Sequence, residues 1–369
     1  MIRKKFANIS NRILRVQGKL EEKSADALFV VNRENSGQPG MKYLSGFDGS
    51  ESVLLIAQNK KYLFTDGRYF QTARNLKTDY AVKELGKNFK LRMTELCKRE
   101  RVIKILFDGE RMSFSNMERI KKILPAVSFV NESNLLQKIR EVKDKKELRL
   151  MKKSADITCE AFLKLLPLIK EGKTEKAVAE KLEKLLKKAG AEKPAFEIIV
   201  ASGKNSALPH ARPTNKKLRR GELVVIDFGA VYKGYLSDMT RTVAIGKISP
   251  KLRRIYETVE NAQREALATV RAGVPARTLD SIARKVIEKA GYDKYFVHST
   301  GHGVGMEIHE LPTISKGSEE KLQENSVITI EPGIYIPGLG GVRIEDMVIV
   351  RKSGSENLTE KATKKLIVR

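Results

Sequence analysis

The amino-acid sequence predicts an α/β (α+β) protein of two domains, the larger of them assembled from two related halves. Three observations carry this expectation. A chain of 369 residues is long for one core and comfortable for two. Its first part alternates short apolar runs with polar stretches, as a small α/β unit does. Its last ~230 residues contain an internal repeat of helix followed by acid-bearing β-ribbon.

In the amino-terminal part, buried strands are expected at Ala27–Val31, Ser52–Ala57, Tyr62–Thr65, Ile103–Phe107 and Val127–Val130, where apolar and β-branched residues cluster. A helix between the last two is expected to start at Ser115, with Glu118 closing a capping box, and to end before Pro125. The polar stretch Asn131–Asn134 reads as a linker, which sets the domains at 1–135 and 136–369. A long helix follows, opened by Asp144 with Glu147 and broken by Pro167 and Gly172.

The repeat begins there. Segments 172–190 and 273–291 each open on a glycine and close on Lys-Ala-Gly, with apolar stripes Val178, Leu182, Leu185 and Leu279, Ile282, Val286. Downstream, Leu218–Gly229 aligns without a gap on Leu322–Gly333, placing Asp227 on Glu331. Pro209-His210 corresponds roughly to the segment His309–Pro312. Two such halves about a pseudo-two-fold would face their carboxylates at one another.

Composition narrows the function classes. Hydrophobic residues are 41% and charged residues 31%, an ordinary globular balance. No apolar run approaches the ~18 residues of a membrane span, and the start lacks the apolar region of a secretion signal. Cys97 and Cys159, expected in different domains and without metal-ligand spacing, read as reduced thiols of a cytoplasmic protein. The net charge of +26 raises nucleic-acid binding. The lysines, however, are spread along polar helix faces such as Thr174–Ala189, with no aromatic-interleaved basic strip, so a solvated surface is the expectation and nucleic acid is not an expected partner.

The chemistry lies in two hairpins. In the first, Leu223–Val231 and Tyr235–Ala244 flank a turn at Tyr232-Lys233-Gly234. A register symmetric about Tyr232-Lys233 sets Asp227 opposite Asp238. Opposed side chains share a face, and two like charges there repel unless a cation lies between them. Asp227 also sits among Val224, Val225, Ile226 and Phe228, where a lone buried carboxylate is expensive. In the second hairpin, a register about Gly338 sets Glu331 opposite Glu345. The chain has only four histidines. His298, His302 and His309 fall within HSTGHGVGMEIH, and His210 precedes the first acid-bearing strand. Four carboxylates and an imidazole exceed a single closed zinc site. They suit two adjacent divalent ions, and the oxygen-rich donor set argues for Mn²⁺, with Co²⁺, Fe²⁺ or Zn²⁺ as substitutes.

The spacing Asp-x₁₀-Asp, His-x₆-His, Glu-x₁₃-Glu resembles the pita-bread metallopeptidases. The flanking text SGKNSALPH, DFGAVYKGYLSDMTRT, HSTGHGVGMEIHELP, ITIEPGIYIP and GGVRIED resembles their proline-specific branch, over nearly all of residues 140–369. YLSGFDGS and FTDGRYFQTA resemble, more weakly, the amino-terminal domain of the creatinase, aminopeptidase P and prolidase relatives. The resemblance implies a pita-bread catalytic domain and a creatinase-type α/β domain. It implies that Asp227 chelates one metal, that Asp238 and Glu345 bridge two, and that His302 and Glu331 complete the other. Glu331 would also take a proton, His309 would stabilise the developing oxyanion, His210 would contact substrate and aid proton transfer, His298 would line the substrate pocket, and Arg343 would orient a carboxylate. Small peptides with proline at position two are the implied substrates, and a homodimer the implied assembly. Some dipeptidase-type members place an arginine four residues beyond the position of His309; here it is Thr313. That tilts the expectation to an Xaa-Pro aminopeptidase, with an Xaa-Pro dipeptidase as the alternative and a non-catalytic binding protein as a remote one.

Overall fold

The computed structural model describes residues 2–34, 38–76 and 78–369, with side chains from residue 9 onward. The chain divides into two units, residues 1–139 and 140–369.

The first unit is a six-stranded sheet. Its spatial order is Ala81–Glu84, Lys61–Thr65, Ser52–Ala57, Ala27–Asn32, Lys104–Phe107, Ser128–Asn131. The central three strands are antiparallel and the outer pairings parallel. The five apolar runs became strands. The sixth, Ala81–Glu84, is an edge strand with little burial, so it leaves no apolar pattern to read. The helix expected from Ser115 is Phe114–Ile123, and Ser113, not Ser115, caps it by accepting from the Asn116 amide. A helix at Ile2–Glu22 was not anticipated; it buries Ile13, Val16 and Leu20.

In the second unit the expected capping box is present: Asp144 accepts from Lys146 and Glu147 amides, Glu147 reaches back, and the helix runs Lys145–Leu165. The duplication holds at the level of single hydrogen bonds. Helices Glu175–Lys188 and Ala276–Lys289 are both 14 residues long. The Gly172 amide donates to Leu218 O as the Gly273 amide donates to Leu322 O, and Glu175 N donates to Lys216 O as Ala276 N donates to Glu320 O. The buried stripes are Val178, Leu182, Leu186 and Leu279, Ala283, Ile287. The helices thus turn their i, i+4 rows inward, while Leu185, Ile282 and Val286 lie on the shoulder of the apolar face. Lys176, Lys181, Lys184, Lys187 and Lys188 of the first helix are exposed.

Each half packs its two helices on its own sheet. One sheet orders Ile367–Val368, Met239–Ala244, Leu223–Phe228, Ile199–Ser202; the other orders Glu310–Ile314, Gly301–Gly303, Val327–Ile330, Asp346–Arg351, Gly354–Asn357. Helices Lys145–Leu165 and Glu175–Lys188 share one apolar cluster with the first sheet. Pro250–Thr269 and Ala276–Lys289 share another with the second.

The first hairpin corrects the expected register. Tyr232 pairs with Tyr235, and Lys233 and Gly234 both have positive φ, 50° and 78°. This is a two-residue turn whose backbone matches the twist of the strands. Asp227 therefore lies opposite Thr240 rather than Asp238. A slip of two residues keeps each side chain on its face, so Asp238 becomes the diagonal neighbour of Asp227. In the second hairpin Gly333 pairs with Arg343 and Ile330 with Asp346, a register that sets Glu331 against Glu345 as expected.

Candidate metal centre

The acids sit where the ribbons lose ladder pairing. Asp238 lies between strands Tyr235–Leu236 and Met239–Ala244, Glu345 between Gly340–Arg343 and Asp346–Arg351, and Glu331 between Val327–Ile330 and Gly333–Ile336. A residue released from the ladder can turn its carboxylate out of the pleat. Asp227 is the exception, within Leu223–Phe228, where Val224, Val225, Ile226 and Phe228 are all buried.

Asp238, His302 and Glu345 place ligand atoms within 4.8 Å of one another. His302 Nε2 lies 3.6 Å from Asp238 Oδ2 and 3.2 Å from Glu331 Oε1. Thr240 Oγ1 donates to Glu345 at 2.8 Å, and Thr329 Oγ1 to Glu331 at 3.1 Å. Asp227 turns to Arg343, which donates to it at 2.6 Å. His302 is held by its Nδ1 contact with Gly303 O at 3.0 Å and by its backbone amide, which donates to Thr329 Oγ1 at 3.1 Å, while Gly301 and Gly303 let the neighbouring backbone approach closely. A Cβ on either would lie 2.1 Å from a carbonyl oxygen, that of Thr329 or of Leu311. These glycines stand on a strand, so close strand approach accounts for them and a phosphate cradle does not.

The electrostatics are lopsided. Burial, then the charges of Glu345, Asp227 and Glu331, drive the Asp238 carboxyl well above the usual range. Burial, then Glu331 and Asp227, do the same to Glu345. Burial also raises Asp227, against the opposing charge of Arg343. Burial works to raise Glu331 too, but the hydrogen bond and charge of His302 prevail and hold it at about 2. The counterpart holds for His302: burial opposes its charge, Glu331 overrides, and its pKa rises. Asp227 Oδ1, Asp238 Oδ1 and Glu345 Oε1 are buried without a hydrogen-bond partner. Unsatisfied buried carboxylate oxygens are expensive. Two of them, on Asp238 and Glu345, belong to acids grouped with the His302 imidazole, a donor set that fits hard divalent cations.

The other histidines gather at the same place. The His302 and His309 rings are 4.4 Å apart, edge to face. His309 is exposed, and burial of its surroundings with the charge of His302 lowers its pKa, keeping it neutral. His298 Nε2 contacts Tyr335 Oη at 2.9 Å, and its pKa is also lowered, chiefly by burial. His210 is exposed; its charge acts on both His298 and His309.

Arg343 ties these parts together. It donates to Asp227, to Tyr335 Oη at 2.8 Å, to Thr240 Oγ1 at 3.1 Å and to Pro209 O at 3.2 Å, the residue before His210. Tyr335, pushed up to about 12 chiefly by burial, stays a neutral phenol between Arg343 and His298. Sequence reasoning missed Tyr335, Thr240 and Thr329. The corrected ladder register would have found Thr240, which lies opposite Asp227. It also missed Glu310, buried beside His309, which accepts from the Met306 and Glu307 amides and pairs with Arg140 and Lys143 at 3.1 and 3.2 Å. No local signal links Lys143 to an acid 167 positions away.

A duplicated helix-and-ribbon fold focusing four carboxylates and an imidazole defines a metal-dependent hydrolase site. Residues 149–352 match metallopeptidase family M24, and residues 12–142 match the creatinase/prolidase N-terminal domain. The Xaa-Pro dipeptidase of Pyrococcus horikoshii is 39% identical over 92% of this chain and 94% of that protein. The structure of an Xaa-Pro dipeptidase from Bacillus anthracis superposes with a TM-score of 0.91 at 37% identity, covering 98% of this chain and 100% of that one. That of an X-Pro aminopeptidase from Thermotoga maritima gives 0.87 at 39%, covering 97% and 99%. The chain belongs to metallopeptidase family M24, with a creatinase-type amino-terminal domain and a pita-bread carboxy-terminal domain.

Proposed function

We propose that this protein is an Xaa-Pro dipeptidase that holds two divalent metal ions, Mn²⁺ by preference, on Asp227, Asp238, His302, Glu331 and Glu345. The observation that carries the reading is the grouping of Asp238 and Glu345 with His302, each acid keeping a buried carboxylate oxygen without a hydrogen-bond partner, as Asp227 also does. When bound, such ions acidify water and polarise a carbonyl. The chain's own groups do the rest. Glu331, ionised at neutral pH, accepts the proton lost by the attacking water. Neutral His309 donates to the oxygen that gains charge at the scissile carbonyl. His210 and His298 border the substrate, and Arg343 holds the Asp227 carboxylate in place.

The dipeptide reading follows the relatives, whose names favour dipeptidases over the aminopeptidase expected from Thr313. One observation keeps the aminopeptidase as a second reading. Thr313 lies opposite His302 in the ladder and is exposed, so no fixed cation stands at that position for a dipeptide's carboxylate. Turnover of Ala-Pro against Ala-Pro-Ala decides between them. Cleavage of the dipeptide alone supports the first reading, and cleavage of the tripeptide with the dipeptide untouched overturns it. Among the described residues no helix is long and apolar enough to cross a membrane. Cys97 and Cys159 are free and buried, and we place the enzyme in the cytoplasm as a homodimer.

A further inference from the structure

Two buried carboxylates outside the metal cluster hold the loops that carry the pocket histidines. Glu175, the first residue of its helix, is wholly buried. Its Oε1 accepts from Ser202 N and Ser202 Oγ, both at 2.7 Å, and its Oε2 from Thr214 N at 3.1 Å and Thr214 Oγ1 at 2.6 Å. Asn205 Nδ2 bridges both oxygens at 3.1 Å. Every one of these donors belongs to the segment 202–214, and His210 lies inside it. Among the described residues Glu175 forms no ion pair. An apolar side chain would fill the space at lower cost, since a buried charge is a poor device for stability alone. A carboxylate does what an apolar group cannot: its two oxygens seize both ends of one loop.

The other half uses the same device on the loop of His298. Asp280, also wholly buried, accepts from Thr300 N at 3.2 Å and Thr300 Oγ1 at 2.9 Å. It is paired with Arg284, which donates to Phe296 O and His298 O, each at 3.0 Å. The duplication did not copy these acids. With the helices offset by 101 residues, Glu175 falls on Ala276 and Asp280 on Ala179. Each helix therefore carries its clamp at a different turn, which points to a demand made by the loop rather than to inheritance of a packing contact.

We propose that Glu175 is a positioning residue: it fixes the 202–214 loop so that His210 meets the substrate in one place. This rests on the peptidase reading above for the role of His210, but not for the geometry of the loop. The chain at Ser206 and Pro209 is braced by Gly341 N and Arg343, so loss of Glu175 frees the ends of the loop without removing its centre.

The test uses the full-length, Mn²⁺-loaded enzyme. Glu175→Gln keeps the shape but turns an NH₂ toward donors. Amide hydrogen exchange at residues 203–213 should quicken about tenfold or more, with residues 298–303 unchanged. Turnover of Ala-Pro should fall about tenfold to a hundredfold, Mn²⁺ binding should stay at wild-type stoichiometry, and Glu175→Asp should recover part of the loss. In a cycle with His210→Ala, the double variant should be no slower than His210→Ala alone. Unchanged exchange at 203–213, or losses that multiply in the cycle, overturns the proposal. If Glu175→Gln does not fold, Thr214→Val, which removes only one donor, takes its place with the same two criteria. The exchange measurement needs no substrate, so an enzyme inert toward proline peptides would refute the function while leaving the clamp to be judged on its own.

Discussion

Arg343 Nη2 lies 2.6 Å from Asp227 Oδ2, and this is the one ion pair Asp227 makes among the described residues. The same guanidinium touches Tyr335, Thr240 and the carbonyl before His210. A planar fork with fixed donor directions can serve four partners at once; an ammonium on a flexible stem cannot. Arg343→Lys should therefore lower activity about 10–100-fold although the positive charge is kept. Steady-state kinetics with an Xaa-Pro dipeptide checks this, and wild-type turnover would mean that charge alone suffices.

Asp238 and Glu345 are both raised well above the usual carboxylate range, by burial first and by the neighbouring carboxylates next. Each is proposed to serve both ions, so neither can be spared. Asp238→Asn and Glu345→Gln should each abolish hydrolysis and lower the number of ions retained after dialysis. Full turnover by either variant, at wild-type metal loading, would refute the assignment.

The same two groups set a pH dependence. Their folded-state pKa values stand above the free values of 3.8 and 4.5. The metal-free folded protein thus holds protons that the unfolded chain has released, and it loses stability as pH rises above those free values. Divalent ions replace the protons, so the gain in melting temperature from Mn²⁺ should be larger at about pH 8 than at about pH 5. Metal-free Glu345→Gln escapes the penalty, and its stability relative to metal-free wild type should grow with pH. Thermal melts with and without chelator measure both trends; a Mn²⁺ gain that shrinks with pH contradicts them.

Behind the site, Asp346 is buried and accepts from Arg241 at 2.8 Å and Lys364 at 2.5 Å. Burial would raise its pKa, but Arg241 and Lys364 hold it far below the carboxylate range. Arg241 also donates to Glu345 O and Ala362 O, so the hub joins the chain's last residues to the metal-site strand. Asp346→Asn leaves the buried Arg241 and the half-buried Lys364 short of charge and should cost about 3–5 kcal/mol. Denaturant unfolding of metal-free protein tests this, and a loss below 1 kcal/mol, roughly the scale of a surface pair, would contradict it.

How much of this could be read from the sequence depended on how local the cause was. The duplication was legible because each half must bury the same helix on the same sheet, and that repeats apolar residues and terminal glycines together. The second hairpin's register was legible because its turn is nearly symmetric about Gly338. The first was misread by two residues because the turn type depends on Lys233 adopting positive φ, which a non-glycine residue does not advertise. Asp227 stood out as a charge within an apolar strand. Tyr335, Glu310 and Glu175 did not, because a buried tyrosine in a hairpin or an acid at a helix start looks ordinary until its partners, 37 positions away for His298 and 39 for Thr214, are brought beside it.

The central claim is that the acid cluster becomes a peptidase centre only when divalent cations fill it. Titrating metal-free protein with Mn²⁺ while following Ala-Pro hydrolysis tests this most directly. Activity should be absent without metal and reach its plateau at about two ions per chain. Hydrolysis by the metal-free protein, or a metal-saturated protein that leaves both Ala-Pro and Ala-Pro-Ala intact, would contradict the account.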